Sequence, residues 1–335
     1  PDPTRFPSGM RWLADQIHSR GLKLGLYGCP GVRTCLGFPG QFEHEYRDAQ
    51  TLADWGVDWW KHDNCFQKWA TVEVYSTELM NGSFPSTGPA ITRMLTAEAY
   101  GLNVRGLSVE GQDAHPIKWS NQTGLPLAIP DRGAVFAGAT RGHQIQYFEA
   151  YRLFGEALQA TGRNITYSIC PLIAGCHRSV WTYYKAHAHL SMNQCIQQDN
   201  TDTWASFEYH IDDNNRFPER ADAAGPGYWN DLDFLMIGYK ELKAWEPRQT
   251  VQEYRSQFSL FAMLAAPLIF SADIRGTDPP RNGWTDELAS VLLNRGVIAV
   301  SQDPLGRQGR LVKTLQGGIE LYTRPLTGGA MAVAA

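Results

Sequence analysis

The stretch Trp55-Gly56-Val57-Asp58-Trp59-Trp60-Lys61-His62-Asp63-Asn64-Cys65 constrains the fold more than any other part of the chain. Val57 to Trp60 reads as a buried strand, and it ends in a cation, a carboxylate and a cysteine. A helical pattern over Glu43–Asp54 comes before it, and a strand at Lys23–Tyr27 before that, after an amphipathic helix over 8–20 with Met10, Leu13 and Ile17 on one face. Strand, helix, strand is the rhythm of a parallel α/β sheet. Side chains alternate along a strand, so Lys61 and Asp63 point to one side. A carboxylate at the C-terminal tip of a barrel strand stands where such folds carry catalysis. An ammonium beside it keeps it ionised and nucleophilic. A solvated salt bridge at a strand end is the plainer alternative.

The rhythm resumes with a helix at 146–161 and a strand at Ile165–Ile169. Further strands are expected at Ser206–Ile211, Asp233–Ile237 and Leu268–Ser271, with a helix over 250–265 before the last. After Gly306 the pattern becomes short alternating strands, Arg310–Leu315 and Gly318–Arg324. Net charge is −4 with no basic run, which gives nucleic acid or an anionic membrane no electrostatic footing. No apolar run reaches the ~18 residues that span a bilayer. No signal peptide is visible. No C-x-x-C pair and no phosphate-cradling glycine loop occurs, so neither a metal nor an organic cofactor is expected. His187 and His189 would share a strand face, but no nearby Cys, Asp or Glu completes a metal site, and they read as surface histidines. Sequons stand at Asn81, Asn121 and Asn164.

Several ordered motifs flank the central segment. Gly21-Leu-Lys-Leu-Gly-Leu-Tyr27, Thr34-Cys35 and Phe38-Pro39-Gly40 come before it. Gly225-Pro-Gly-Tyr-Trp-Asn-Asp-Leu-Asp233, Ala265-Ala266-Pro267-Leu268 and Val297-Ile-Ala-Val-Ser-Gln-Asp-Pro-Leu-Gly306 follow. Together they closely resemble the α-galactosidase and α-N-acetylgalactosaminidase family of retaining glycosidases (glycoside hydrolase family 27), over roughly residues 5–68 and 146–335. The resemblance implies a (β/α)8 TIM barrel over 1–306, then the start of an antiparallel β-sandwich at 307–335. It also implies two further barrel strands before Pro1, carrying sugar-binding carboxylates. They would belong to a missing N-terminal segment, since an open barrel leaves unpaired edges. Residues 67–145 read as an insertion at the catalytic face, rich in Gly, Pro, Ser and Thr.

By the same resemblance Asp63 is the nucleophile, and Lys61, Tyr27, Trp229, Asp231 and Asp233 contact substrate. Disulfides Cys35–Cys65 and Cys170–Cys195 are implied, with Cys29 and Cys176 lacking family counterparts. A carbohydrate substrate or glycan, a homodimer or larger assembly, and a secreted, lysosomal or vacuolar setting follow as expectations.

The chain departs from the family pattern at the second carboxyl. Retaining hydrolysis needs two carboxyls about 5–5.5 Å apart. Aligned on Ile211, His210 stands where the acid/base aspartate is expected, and Ala205 replaces a sugar-binding arginine. Cys29 replaces an aspartate, Ser168-Ile169-Cys170-Pro171 lacks a glutamate, and Phe234 replaces a methionine. Three readings stay open. His210 is the acid, since imidazole titrates near neutrality. Glu208 or Asp212 takes the role after a one-residue shift. Or the site is silent, and the protein is an extracellular glycan-binding or assembly module.

Overall fold

The computed structural model describes residues 1–31, 34–41, 44–63, 141–171, 185, 187–192, 201–238, 249–272 and 285–335, with residues 141–149 as backbone alone. The chain divides into two compact units, Pro1–Ser191 and Met192–Ala335.

In the first unit, α1 (Gly9–His18) leads to β1 (Gly25–Gly28), α2 (Glu45–Trp55) to β2 (Trp59–His62), and α3 (Arg141–Ala160) to β3 (Thr166–Ile169), followed by β4 (Leu190–Ser191). The strands pair in parallel: Tyr27 lies beside Lys61, Lys61 beside Ser168, and Ser168 beside Leu190. This is the expected strand–helix alternation, and each parallel step needs its crossover helix. Gly56 closes α2 at φ +80°, a left-handed conformation open to glycine, and lets the chain turn directly into β2. A Cβ there would also come within 3.4 Å of the Ala14 methyl on α1.

One face of the sheet is packed. Trp60 and His62 turn toward α3, with ring centroids 5.9 and 4.5 Å from Phe154. Tyr151 and Tyr167 complete that aromatic core, and both are buried. Burying each such ring contributes about 1.5–3 kcal/mol. Alternation then sends Trp59, Lys61 and Asp63 to the other face.

At the opposite, N-terminal end of β2, Asp58 ties the strand to its surroundings. Its carboxylate accepts from His18 Nε2 (2.6 Å), the Leu24 N–H (2.8 Å) and Arg163 Nη2 (2.9 Å).

In the second unit the segment expected as strand Ser206–Ile211 is a helix. It is α4, Trp204–Arg216, with Thr203 as N-cap accepting from the Ser206 N–H at 3.2 Å. Phe207, His210, Ile211 and Asn214 are its buried stripe, at helical spacing. A two-residue strand, β5 (Trp229–Asn230), follows. The strands expected at Asp233–Ile237 and Leu268–Ser271 contract to one parallel bridge, Leu235 with Phe270.

The expected helix over 250–265 is α5, Val251–Met263, opened by a capping box between Thr250 and Glu253. Its Tyr254, Phe258 and Phe261 join Phe207, Ile211 and Leu235 in one core. After α6 (Asp286–Leu292) and α7 (Arg295–Ser301), the strands expected past Gly306 appear as β6 (Arg310–Thr314) and β7 (Glu320–Pro325). A third strand, β8 (Met331–Ala334), joins them in an antiparallel sheet.

Among the described residues no helix is long and apolar enough to cross a membrane.

Candidate functional site

The C-terminal end of β2 delivers Asp63. Its N–H donates to Gly28 O at 2.9 Å, extending the pairing with β1 by one step. Its side chain lies on the face away from α3, where the Tyr27 hydroxyl donates to Asp63 Oδ2 at 2.5 Å. Tyr27 and Lys61 are register partners on that face. Burial, the bond to Asp63 and the carboxylate's charge together push the Tyr27 phenol far above its ordinary range. Tyr27 is therefore a donor to this carboxylate at any working pH. Cys35 Sγ lies 3.3 Å from the same oxygen.

Tyr27 and Cys35 thus meet at Asp63, and Lys61 stands beside Tyr27 on the adjacent strand. Chemically this is a half-buried carboxylate at a barrel-strand tip, with one oxygen held by a phenol and a cation on its own strand. Such an oriented carboxylate is suited to nucleophilic attack. Asn64 and Cys65 lie outside the described residues, as do Asn81, Asn121 and almost all of the 67–145 insertion.

The neighbouring strand ends carry cysteines. Cys29 follows β1 and Cys170 follows β3, and both are buried. The bridge expected between Cys170 and Cys195 has its second cysteine beyond the described residues. Cys170 packs as a small apolar group at the strand end. Asn164 is exposed in the turn from α3 to β3. His189 is exposed and its Nδ1 accepts from the Tyr167 N–H at 3.0 Å, while His187 is half-buried. Among the described residues no group of three His, Cys, Asp or Glu could hold a metal.

The acid/base candidates are not at a strand tip. Glu208, His210 and Asp212 lie within α4. Glu208 and Asp212, four apart, share its exposed side. His210 is on the buried side, with Nδ1 2.8 Å from Ser206 O. The alignment on Ile211 put His210 in the acid's place within a segment expected as a strand, and that segment is a helix.

In the second unit, Trp229 and Asn230 form β5 and Asp231 and Asp233 follow, both buried. Asn230 Nδ2 donates to Arg220 O at 2.9 Å and Gln308 Oε1 at 2.7 Å. Asp231 Oδ1 accepts from the Asp233 N–H at 2.9 Å, and Asp233 sits at φ +71°. A buried non-glycine residue at positive φ costs energy, and such strain concentrates at working sites.

Comparison with known proteins follows the same line. The family model described as Alpha galactosidase A matches residues 1–121 and 134–303. Human Alpha-galactosidase A is 33% identical over 340 residues, covering 99% of this chain and 57% of that protein. Alpha-galactosidase 3 of Arabidopsis thaliana is 32% identical, covering 100% and 54%. Chicken Alpha-N-acetylgalactosaminidase is 31% identical, covering 99% and 61%. Among solved structures, the alpha-galactosidase of Saccharomyces cerevisiae superposes with a TM-score of 0.61 at 22% identity, over 99% of this chain and 60% of that one. That likeness shows the fold, a TIM barrel. The chain spans little more than half the length of the curated relatives it matches.

Proposed function

We propose, for a chain that belongs to the alpha-galactosidase A family of glycoside hydrolases, that it is a retaining hydrolase of terminal α-linked galactose-like sugars. The observation that carries this is Asp63: a carboxylate at the end of a barrel strand, on the face away from the helices, with the Tyr27 phenol bonded to one oxygen. Asp63 attacks the anomeric carbon and forms a glycosyl-enzyme, which water then hydrolyses. Tyr27 fixes the oxygen that does not attack, and Lys61 lends positive charge. Trp229, Asp231 and Asp233 contribute substrate contacts, the last from its strained backbone.

The acid/base belongs to a different segment from the one the alignment selected. Catalytic groups of barrels come from the loops after strands. Between β4 and α4 the sequence holds two carboxylates, Asp199 and Asp202. Asp202 is buried and accepts from the Tyr254 hydroxyl at 2.7 Å, which ties it to α5. Asp199, outside the described residues, is then the acid/base by its place in the sequence. Replacing it with Ala should abolish hydrolysis of unactivated α-galactosides, with azide restoring turnover of an aryl galactoside. No rescue, with wild-type pH dependence, would remove Asp199 from the role.

A second reading is favoured by the buried Cys29 and Cys170 beside Asp63, where the family pattern has carboxylates. In that reading the barrel binds a glycan without cleaving it. Turnover of an α-galactoside that is lost in Asp63→Asn decides against it. The Cys35–Cys65 bridge, glycans on Asn81, Asn121 and Asn164, a dimeric assembly, and a secreted or lysosomal location complete the proposal.

A further inference from the structure

We infer that Tyr151 is a positioning residue for Asp63, acting through a closed hydrogen-bond circuit behind the sheet. The inference rests on the reading of Asp63 as nucleophile. Tyr151 lies on α3 and is fully buried. Its hydroxyl proton is shared between Cys170 O at 2.7 Å and Asp63 O at 3.1 Å. Those carbonyls belong to adjacent strands, one step past the last register pair, His62 with Ile169. The Asp63 backbone is therefore held on both sides, its N–H by Gly28 and its C=O by Tyr151.

The circuit closes through the residue before Asp63. The Tyr167 hydroxyl donates to Tyr151 O at 3.2 Å. Its oxygen is 2.7 Å from His62 Nδ1, and with the Tyr167 proton on Tyr151 O it accepts from the tautomer protonated at Nδ1. His62, Tyr167, Tyr151 and Asp63 thus form a ring in which His62 and Asp63 are chain neighbours. The circuit uses the helix-facing side chains of β2 and β3 to fix a group that faces the other way. Peptide-plane rotation at Asp63 would swing its carboxylate off Tyr27, and Tyr151 restrains that rotation. A small misplacement of a reacting group costs up to about a hundredfold in rate, so a support of this kind shows in the chemical step rather than in binding.

The test compares four variants of the full-length protein with wild type: Tyr151→Phe, Tyr167→Phe, Leu158→Ala and Asp63→Asn. The readouts are kcat and KM on an aryl α-galactoside, Tm, and the rate of covalent labelling at Asp63 by a fluorosugar. Leu158 is buried on the same helix but outside the circuit, so its truncation gives the purely structural effect. Tyr151→Phe should lower kcat and the labelling rate roughly tenfold, with KM within about twofold. Tyr167→Phe should fall in between. Leu158→Ala should lose Tm while keeping kcat. The inference is overturned if Tyr151→Phe keeps kcat within about twofold, or if Leu158→Ala loses rate in the same proportion to Tm. Turnover surviving in Asp63→Asn, or absent from wild type, would instead sink the nucleophile reading and the inference with it. A silent Asp63→Asn beside a fully active Tyr151→Phe would sink the inference alone.

Discussion

Replacing Asp58 should unfasten the lower end of the sheet, and the size of the effect can be worked from its contacts. Its side chain is 12% exposed, with His18 at 2.6 Å and Arg163 at 2.9 Å. Lys23 is more distant at 3.8 Å and largely solvated, so it contributes little. A hydrogen bond to a charged group contributes about 1.5–3 kcal/mol. The strong bonds come from His18, Leu24 and Arg163, but they share one carboxylate and do not add. Asp58→Ala also leaves the Leu24 N–H without its acceptor, while the Arg163 guanidinium loses its charge partner and keeps Gly56 O and Val57 O. A loss of about 3 kcal/mol follows, at the low end for a broken buried pair. At 335 residues, with an unfolding entropy of about 2.1 cal/mol/K per residue, that lowers Tm by roughly 4 °C.

Asp58→Asn keeps an acceptor and loses the charge, so its deficit is smaller and pH-dependent. Burial opposes ionisation of Asp58, but the His18 and Leu24 bonds and the nearby His18 and Lys23 charges outweigh it, and its pKa is lowered. A lowered folded-state pKa stabilises above the unfolded value of about 3.9, and that stability is lost as pH falls through the folded value. The Tm gap between wild type and Asp58→Asn should be full at pH 5–7 and shrink below about pH 4. Differential scanning calorimetry across that range reads both. A gap that is absent at pH 6, or that stays constant into strong acid, refutes the reasoning.

Other perturbations reach other parts of the chain. Tyr27→Phe removes the bond to Asp63 Oδ2 and should lower kcat/KM roughly tenfold, with Tm nearly unchanged; an unaltered kcat/KM means the phenol is a bystander. Burial, helped by the Arg152 charge, pulls the His187 pKa down to about 4. A depressed histidine contributes stability above its unfolded value near 6.5 that is lost as pH falls toward about 4. His187→Gln should flatten the acid side of the Tm–pH curve in that window, and an unchanged slope would place the acid sensitivity elsewhere. Thr250→Ala breaks the capping box of α5 and should cost about 1 kcal/mol by urea melting; a neutral result means the helix start is held by packing alone.

The sequence was most legible where period and capping agreed. Val57–Asp63 read correctly as a strand because Gly56 ends one helix and alternation then separates Trp60 and His62 from Lys61 and Asp63. The α4 segment misled for a physical reason. Ser206-Phe207-Glu208-Tyr209-His210-Ile211 alternates in a strand-like way over its six residues. Two features of the helix extend past that window: the N-cap at Thr203, and the buried spacing 207, 210, 211 that continues to Asn214. That spacing starts the helix at Trp204 and leaves Asp199 and Asp202 in the sequence before it. The circuit behind Asp63 was not legible at all. Tyr151 and Asp63 are 88 residues apart, and only the packing of α3 on β2 brings them together. Tyr151 is one of many aromatics in the chain, and nothing local sets it apart from ordinary core.

The most direct measurement is to trap the covalent intermediate with a mechanism-based fluorosugar and map the label by peptide mass spectrometry. The account predicts one glycosyl group, on the peptide bearing Asp63, with loss of activity in step with labelling. A label on any other carboxylate, or an active protein that never accumulates one, would contradict it.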